Sequence, residues 1–367
     1  MFVAAFDDRP TTPDYIFPFI HNTTAFCDLN FLTPVKDLAA SAKLDLGQSK
    51  YKLITIDPAT LPQYNHAKQL FDDIYVNYST NPDFFERPCF HRWFALNAAT
   101  TSLKYNDYIC LLDTDFLIGM SPSDVLSQCL MNADNKEFQL FTDWEYVSTG
   151  HSDIPIEAIP YTDIDKNYPK RIAPHLAIMT KSFLYDFCKF ILTEYYAPGA
   201  KAQLIDYYFE AIGNGRIGGI SDMTAIANFS MLNHYDRSFN IKNLEAHEII
   251  GNFYSFLYSK IGETDRWKIF FQPDGQRLQI AGESKKLIGV HFQGSAKTFM
   301  PLACESSGAD GLISRQICAE HMETLARKES IRAQRESLAL ANAAQPLIFR
   351  IANKLGRRIG RFDTIHR

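Results

Sequence analysis

Residues 108–120 read YICLLDTDFLIGM. Tyr108 to Leu112 form a short apolar run, and two aspartates, Asp113 and Asp115, follow one residue apart. A run of this length, rich in strand-favouring side chains and ended by turn-forming acids, predicts a buried β-strand. Two carboxylates at its end repel each other, so a cation nearby would favour having both ionised. Asp163-Ile164-Asp165 has the same spacing but follows Pro160-Tyr161-Thr162, and reads as a solvated turn. The strand before Asp113 is what sets the first pair apart, because open α/β sheets collect their ligands at the carboxyl ends of strands.

The flanking sequence supplies the rest of such a sheet. Phe2–Phe6 predicts a first strand that ends in Asp7-Asp8, and Thr12-Pro13-Asp14 a helix start. Tyr51–Ile56 alternates as a strand. Pro88 opens a helix with Phe90, Trp93, Phe94 and Ala98 on one face, leading into the strand at 107–112. Further strands are expected at Phe138–Thr142, His175–Thr180 and Leu287–Phe292, with a helix over Lys181–Tyr196. Ser221-Asp222 caps another helix, MTAIANFSML, after four glycines within 213–219. Residues 150–174, rich in Pro, Asp and Tyr, read as a long loop. Strands alternating with helices give an α/β fold whose sheet is mixed and mainly parallel. Three regions are expected: a catalytic domain over 1–305, a helical extension over 306–345 and a basic tail over 346–367.

At 367 residues, 46% hydrophobic and 22% charged, the chain has the composition of a globular protein. A net charge of −5 argues against general nucleic-acid binding, so no nucleic-acid partner is expected. Seven scattered cysteines without a CxxC pair point to a reducing, cytoplasmic compartment and no structural zinc. The early acids in MFVAAFDDRP do not fit a leader peptide, and no apolar run is long enough to span a bilayer.

Two strand-end carboxylates suit a hard divalent ion, Mn²⁺ or Mg²⁺, that leaves positions open for phosphate oxygens. The spacing is not that of an EF-hand. It fits two enzyme classes. An aspartyl-phosphate phosphotransferase expects Ser or Thr where this chain has Leu117, and expects the motif near the start of its domain. A nucleotide-sugar transferase uses the pair to hold the ion that bridges a diphosphate. Residues 287–297, LIGVHFQGSAK, favour the second. His291 at a strand end is a candidate third metal ligand, with a structural hydrogen-bonding role as the alternative, Gly294 allows close approach to a phosphate, and Lys297 brings a positive charge.

This combination resembles the GT-A glycosyltransferases, most closely the retaining family of glycogenin and the lipopolysaccharide galactosyltransferases. The resemblance spans roughly residues 1–300. It implies a GT-A, Rossmann-like fold, with Asp113, Asp115 and His291 as metal ligands. Thr114, Gly294 and Lys297 fall on the donor, Arg92 reaches it from the preceding helix, and Asp7 and Asp8 read the nucleotide base. The implied donor is a nucleotide-sugar, UDP-linked, and the acceptor a glycan or a lipid-linked glycan. The family's Asp-Gln-Asp segment is reduced here to Ser221-Asp222-Met223, and its Asn-Ser-Gly strand to Pro174-His175-Leu176-Ala177. Asp222 is the candidate catalytic carboxylate, as a base or as a group that positions the sugar. Trp144, Glu145 and His175 are candidates to line the acceptor pocket. Strand-end carboxylates are expected to lie outside the core. A phosphotransferase and a non-enzymatic GT-A-like scaffold remain the alternatives.

The tail, PLIFRIANKLGRRIGRFDTIHR, carries six basic residues and one Asp. Ile348, Ala352, Leu355, Ile359 and Phe362 share one helical face, with the basic residues largely opposite. Such a helix suits an anionic membrane surface, with docking on the acidic catalytic domain as the alternative, so the expected location is cytoplasmic and peripheral to the inner face of a membrane.

Overall fold

The structure is a computed structural model. It describes residues 1–36, 38, 51–79, 81–131, 139–145, 171–195, 221–229, 238–240, 247–250, 269–271, 278–280, 286–292, 294, 297, 300, 330 and 334. Of the loop expected at 150–174, residues 171–174 are strand instead, a correction, while 150–170, the glycine-rich stretch 213–219 and the tail 346–367 lie outside the described residues. The chain divides into two units, Met1–Leu312 and Ile313–Arg367, and every element below belongs to the first.

Strands β1 (Phe2–Phe6), β2 (Leu29–Leu32), β3 (Leu53–Ile56) and β4 (Tyr108–Leu112) form a parallel block ordered β3-β2-β1-β4. Val3, Ala4, Ala5, Ile109, Cys110, Leu111 and Leu112 are buried, as expected for strands covered on both faces. The periodicity does not reveal strand direction beyond β4. A short β5 (Phe116–Ile118) follows the second aspartate, then β6 (Gln139–Glu145) and β7 (Arg171–Thr180). Strand β7 joins the edge of β4 antiparallel, β6 pairs antiparallel with β7, and β8 (Ser238–Asn240) pairs parallel with β6. The sheet is therefore mixed, with four of its six pairings parallel. A second sheet holds β5, β9 (His247–Ile250), β10 (Ile269–Phe271), β11 (Leu278–Ile280) and β12 (Lys286–His291).

Helices flank the first sheet. In α1 (Ile16–Phe26), Pro18 sits in the first turn, where its missing N–H has no partner to lose. Helix α2 (Pro62–Ile74) packs on α3 (Asp83–Ala99). Helix α3 begins five residues before Pro88, so the expectation that proline opens it is corrected. Asp83 and Glu86 occupy its first turn, where the helix dipole favours negative charge. Buried Glu86 accepts hydrogen bonds from Ser79 Oγ (2.8 Å) and Asn81 Nδ2 (2.6 Å), which secures the entry to the helix. The buried face of α3 carries Phe90, Trp93 and Phe94. Phe71 stacks near Phe90 at 5.0 Å, and Trp93 meets Phe187 edge-on at 5.1 Å. The core also takes in α4 (Pro122–Met131), α5 (Lys181–Phe190) and α6 (Asp222–Phe229). Among the described residues, no helix is long and apolar enough to cross a membrane.

Lys181, the first residue of α5, is only 6% exposed. Its Nζ donates to Asn97 O (2.8 Å), Asn97 Oδ1 (2.5 Å) and Thr100 Oγ1 (2.9 Å), at the C-terminal end of α3. Carbonyls there favour a cation, yet burial pulls the amine down to about 8. Between about pH 8 and the free-lysine value of about 10.4, the folded chain therefore holds fewer protons than the unfolded one, and stability rises with pH. The expected gain from this amine is on the order of 1–3 kcal/mol. Urea midpoints measured from about pH 7.5 to about pH 10 should climb more steeply for the wild type than for Lys181→Met. Parallel curves would contradict it.

Candidate active site

Two strand pairings build the site around Asp113 and Asp115. Asp113 follows β4, whose last pair with β7 is Leu112–Leu176. The next position on β7 is His175, and its carbonyl accepts the Asp113 backbone N–H at 2.9 Å. The His175 ring then lies beside the same residue, with Nδ1 3.0 Å from Asp113 Oδ2. Asp115 precedes β5, which runs antiparallel to β12 with His291 opposite Phe116. The Phe292 N–H donates to Asp115 O at 2.8 Å, and His291 Nε2 reaches Asp115 Oδ1 at 3.2 Å. Each aspartate thus receives one histidine from a neighbouring strand. The two imidazoles stack with centroids 3.4 Å apart.

The β5–β12 contact depends on a glycine. A Cβ on Gly289 would stand 2.3 Å from the Phe116 ring and 2.7 Å from Leu117 O, so no larger residue lets β12 approach. Thr114 is half-buried in the turn between the aspartates, which closes through Phe116 N–H to Asp113 O (3.0 Å). Gly294 is exposed, at φ +62°, in the left-handed region that favours glycine.

Each aspartate also meets a cationic side chain. Lys297 Nζ lies 2.8 Å from Asp115 Oδ2. Arg92 Nη1 bonds Asp113 Oδ1, while its Nε (3.1 Å) and Nη2 (2.5 Å) both donate to Asp222 Oδ2. Trp93 Nε1 donates to the same oxygen at 2.9 Å. Asp222 is 2% exposed. It stands at the first position of α6, but its carboxylate is turned toward Arg92 and Trp93 rather than spent as a simple cap. One guanidinium therefore joins two carboxylates 109 residues apart in sequence.

The electrostatics follow from these partners. Burial opposes ionisation of Asp115, but His291 and Lys297 outweigh it and hold the carboxyl well below the usual range. Burial likewise opposes ionised Asp113, and Arg92 with His175 holds it low. Lys297 is favoured as the ammonium by Asp115 against the opposing effect of burial. Asp115 is 7% exposed, so the expectation that both acids lie outside the core is corrected. The reason is the second sheet: β12 pairs with β5 beside Asp115 and brings His291 and Phe292 onto that acid.

The first-strand pair lies on an extension of this network. Asp7 accepts from Arg9 Nε (2.7 Å) and Nη2 (2.5 Å), an ion pair that the sequence reading did not include. The signal was present, since Arg9 stands two residues from Asp7. Arg9 also donates to Tyr15 Oη (2.6 Å), and Lys297 Nζ lies 5.1 Å from the centre of the Tyr15 ring. Asp8 is half-buried, and burial with the neighbouring Asp7 pushes its carboxyl upward. Trp144 and Glu145 belong to β6, paired in register with Ile172 and Arg171.

Asp113, His175 and His291 each offer one ligand atom, all within 4.8 Å of one another. This donor set fits a divalent ion, and it includes a histidine assigned from sequence to the acceptor pocket.

Among the solved structures similar to the chain are three glycosyltransferases. Mouse xyloside xylosyltransferase 1, in its apo form, shares 12% identity over 78% of this chain and 97% of its own, with a TM-score of 0.46. The galactosyltransferase LgtC, bound to donor and acceptor sugar analogues, shares 11% over 86% and 98%, at 0.37. The glycosyltransferase GlyE of Streptococcus pneumoniae TIGR4 shares 10% over 84% and 60%, at 0.35. No protein-family model matches the sequence, and no curated protein does.

Proposed function

We propose that this chain is a GT-A glycosyltransferase that moves a sugar from a UDP-sugar to a glycan or glycolipid acceptor with the help of a divalent cation. The observation that carries this reading is the gathering of Asp113, Asp115, His291 and Lys297 at the carboxyl end of β4, around two further groups, Arg92 and His175. A diphosphate leaving group needs such a place, with cations to neutralise it and little water to compete. Asp113, Asp115 and His291 would hold Mn²⁺ or Mg²⁺, which supplies electrophilic neutralisation of the departing phosphate.

The remaining roles belong to side chains of the chain itself. Lys297, paired with Asp115, is close enough to exchange that carboxylate for a phosphate oxygen. Gly294 offers backbone approach without a side chain in the way. Arg92, aimed by Asp222, holds Asp113 and faces the donor. Asp222 positions the transferred sugar, and Asp7 and Asp8 contact the base. Leu117, a hydrocarbon side chain fully buried in β5, stands where an aspartyl-phosphate mechanism needs a Ser or Thr hydroxyl. Calorimetric titration with UDP tests the reading. Binding in Mn²⁺ should fall by about tenfold or more in chelator, the scale of one lost charge-assisted contact set of ~1.4 kcal/mol or more. Equal affinity in both would reject it.

The basic segment 346–367 is proposed to hold the enzyme to an anionic membrane face, each Lys or Arg adding on the order of 1 kcal/mol. The full-length protein should pellet with anionic vesicles, release at high salt, and stay in the supernatant when truncated after Gln345. Equal pelleting of the truncated form would remove the tail as anchor.

A further inference from the structure

We propose that His175 is itself a metal ligand, a second imidazole beside His291 in the same ion's shell. This rests on reading the site as one that holds a donor-bridging cation. His175 comes from β7, on the opposite side of β4 from the parallel block, and its backbone is fixed against Asp113 by strand pairing. Its Nδ1 faces Asp113 at 3.0 Å, as His291 Nε2 faces Asp115 at 3.2 Å. The rings stack with 3.4 Å between centroids, and each turns one nitrogen to a different acid of the pair. Ligands of one ion with bonds of ~2.0–2.2 Å stand no more than about 4.4 Å apart. The donor atoms of Asp113, His175 and His291 all lie within 4.8 Å of one another, near that limit for the widest pair.

Pulsed electron paramagnetic resonance on Mn²⁺-loaded protein, with and without UDP, counts the coupled imidazoles directly. Two are expected in the wild type and one in His175→Asn, which keeps a hydrogen-bonding amide toward Asp113. A wild type with one coupled imidazole or none, with or without UDP, would overturn the proposal. His175 would then only orient Asp113. Two imidazoles with no effect of UDP on metal binding would keep this ligand set and remove the nucleotide-sugar reading instead. One imidazole with UDP-dependent metal binding would do the reverse.

Discussion

Asp115→Asn is expected to remove metal-supported UDP binding and to lower sugar transfer by about 10³-fold or more, the scale on which lost transition-state charge stabilisation is felt. Asn keeps the shape of Asp and an oxygen that can accept from Lys297 and His291, but it cannot neutralise a divalent ion. The substitution is chosen over Ala for a structural reason. Asp115 is buried between His291 and Lys297, and Ala would leave a lysine with no acceptor in a covered site. Breaking one partner of a buried pair costs about 3–5 kcal/mol, so Ala would confuse lost function with lost fold. Asp113→Asn should behave similarly, with a smaller effect on stability because Arg92 keeps Asp222 as its partner. Calorimetry with UDP and Mn²⁺, set beside a thermal melt of each variant, separates the two effects. Retention of Mn²⁺-dependent UDP affinity in Asp115→Asn would reject Asp115 as part of the cation site.

The parts of this site that could be read in the sequence are those whose chemistry is local. Asp113 and Asp115 stood out because an apolar strand ends on them. His291, Gly294 and Lys297 stood out because they follow another strand at close spacing. The Arg92–Asp222 contact was not legible, since 130 positions separate the two and neither periodicity nor spacing encodes which helix faces which. His175 was visible as a residue but not as a partner of Asp113. Its place depends on β7 joining β4 antiparallel, and the alternation of a strand is the same in either direction. Strand β5 was hidden for a different reason. Phe116–Ile118 is three residues long, too short for a period, yet its pairing with β12 is what brings His291 onto Asp115. The start of α3 was misplaced because Pro88 has the look of a first-turn proline, whereas Asp83 and Glu86 provide the earlier start. Asp7 was assigned to the base without Arg9, which takes both of its carboxylate oxygens.

Asp222→Asn is expected to reduce transfer by about 10²–10³-fold while leaving Mn²⁺-supported UDP affinity within a few-fold of wild type. Asp222 Oδ2 receives three N–H donors, two from Arg92 and one from Trp93, and its anionic charge offsets a guanidinium that is otherwise shared with Asp113 alone. Asn can still accept from Trp93, so the helix start and the indole contact survive. Without the charge, Arg92 is no longer drawn toward α6, and its electrostatic balance shifts entirely onto Asp113. On the proposed roles, the sugar side of the site then loses its carboxylate while the diphosphate side keeps Asp115, His291 and Lys297. That asymmetry predicts a fall in kcat with little change in UDP affinity, the mark of an interaction made in the transition state rather than in binding. A role as helix cap predicts something else, because Asn caps about as well as Asp. Wild-type turnover in Asp222→Asn would therefore remove Asp222 from the site and leave its contact with Arg92 as a purely structural bridge. Arg92→Lys sharpens the comparison. An ammonium is a point charge and cannot reproduce the fork that spans both acids, so the lysine variant should lose turnover together with Asp222→Asn, and the double variant should be no worse than the poorer single one if the two side chains act as a unit.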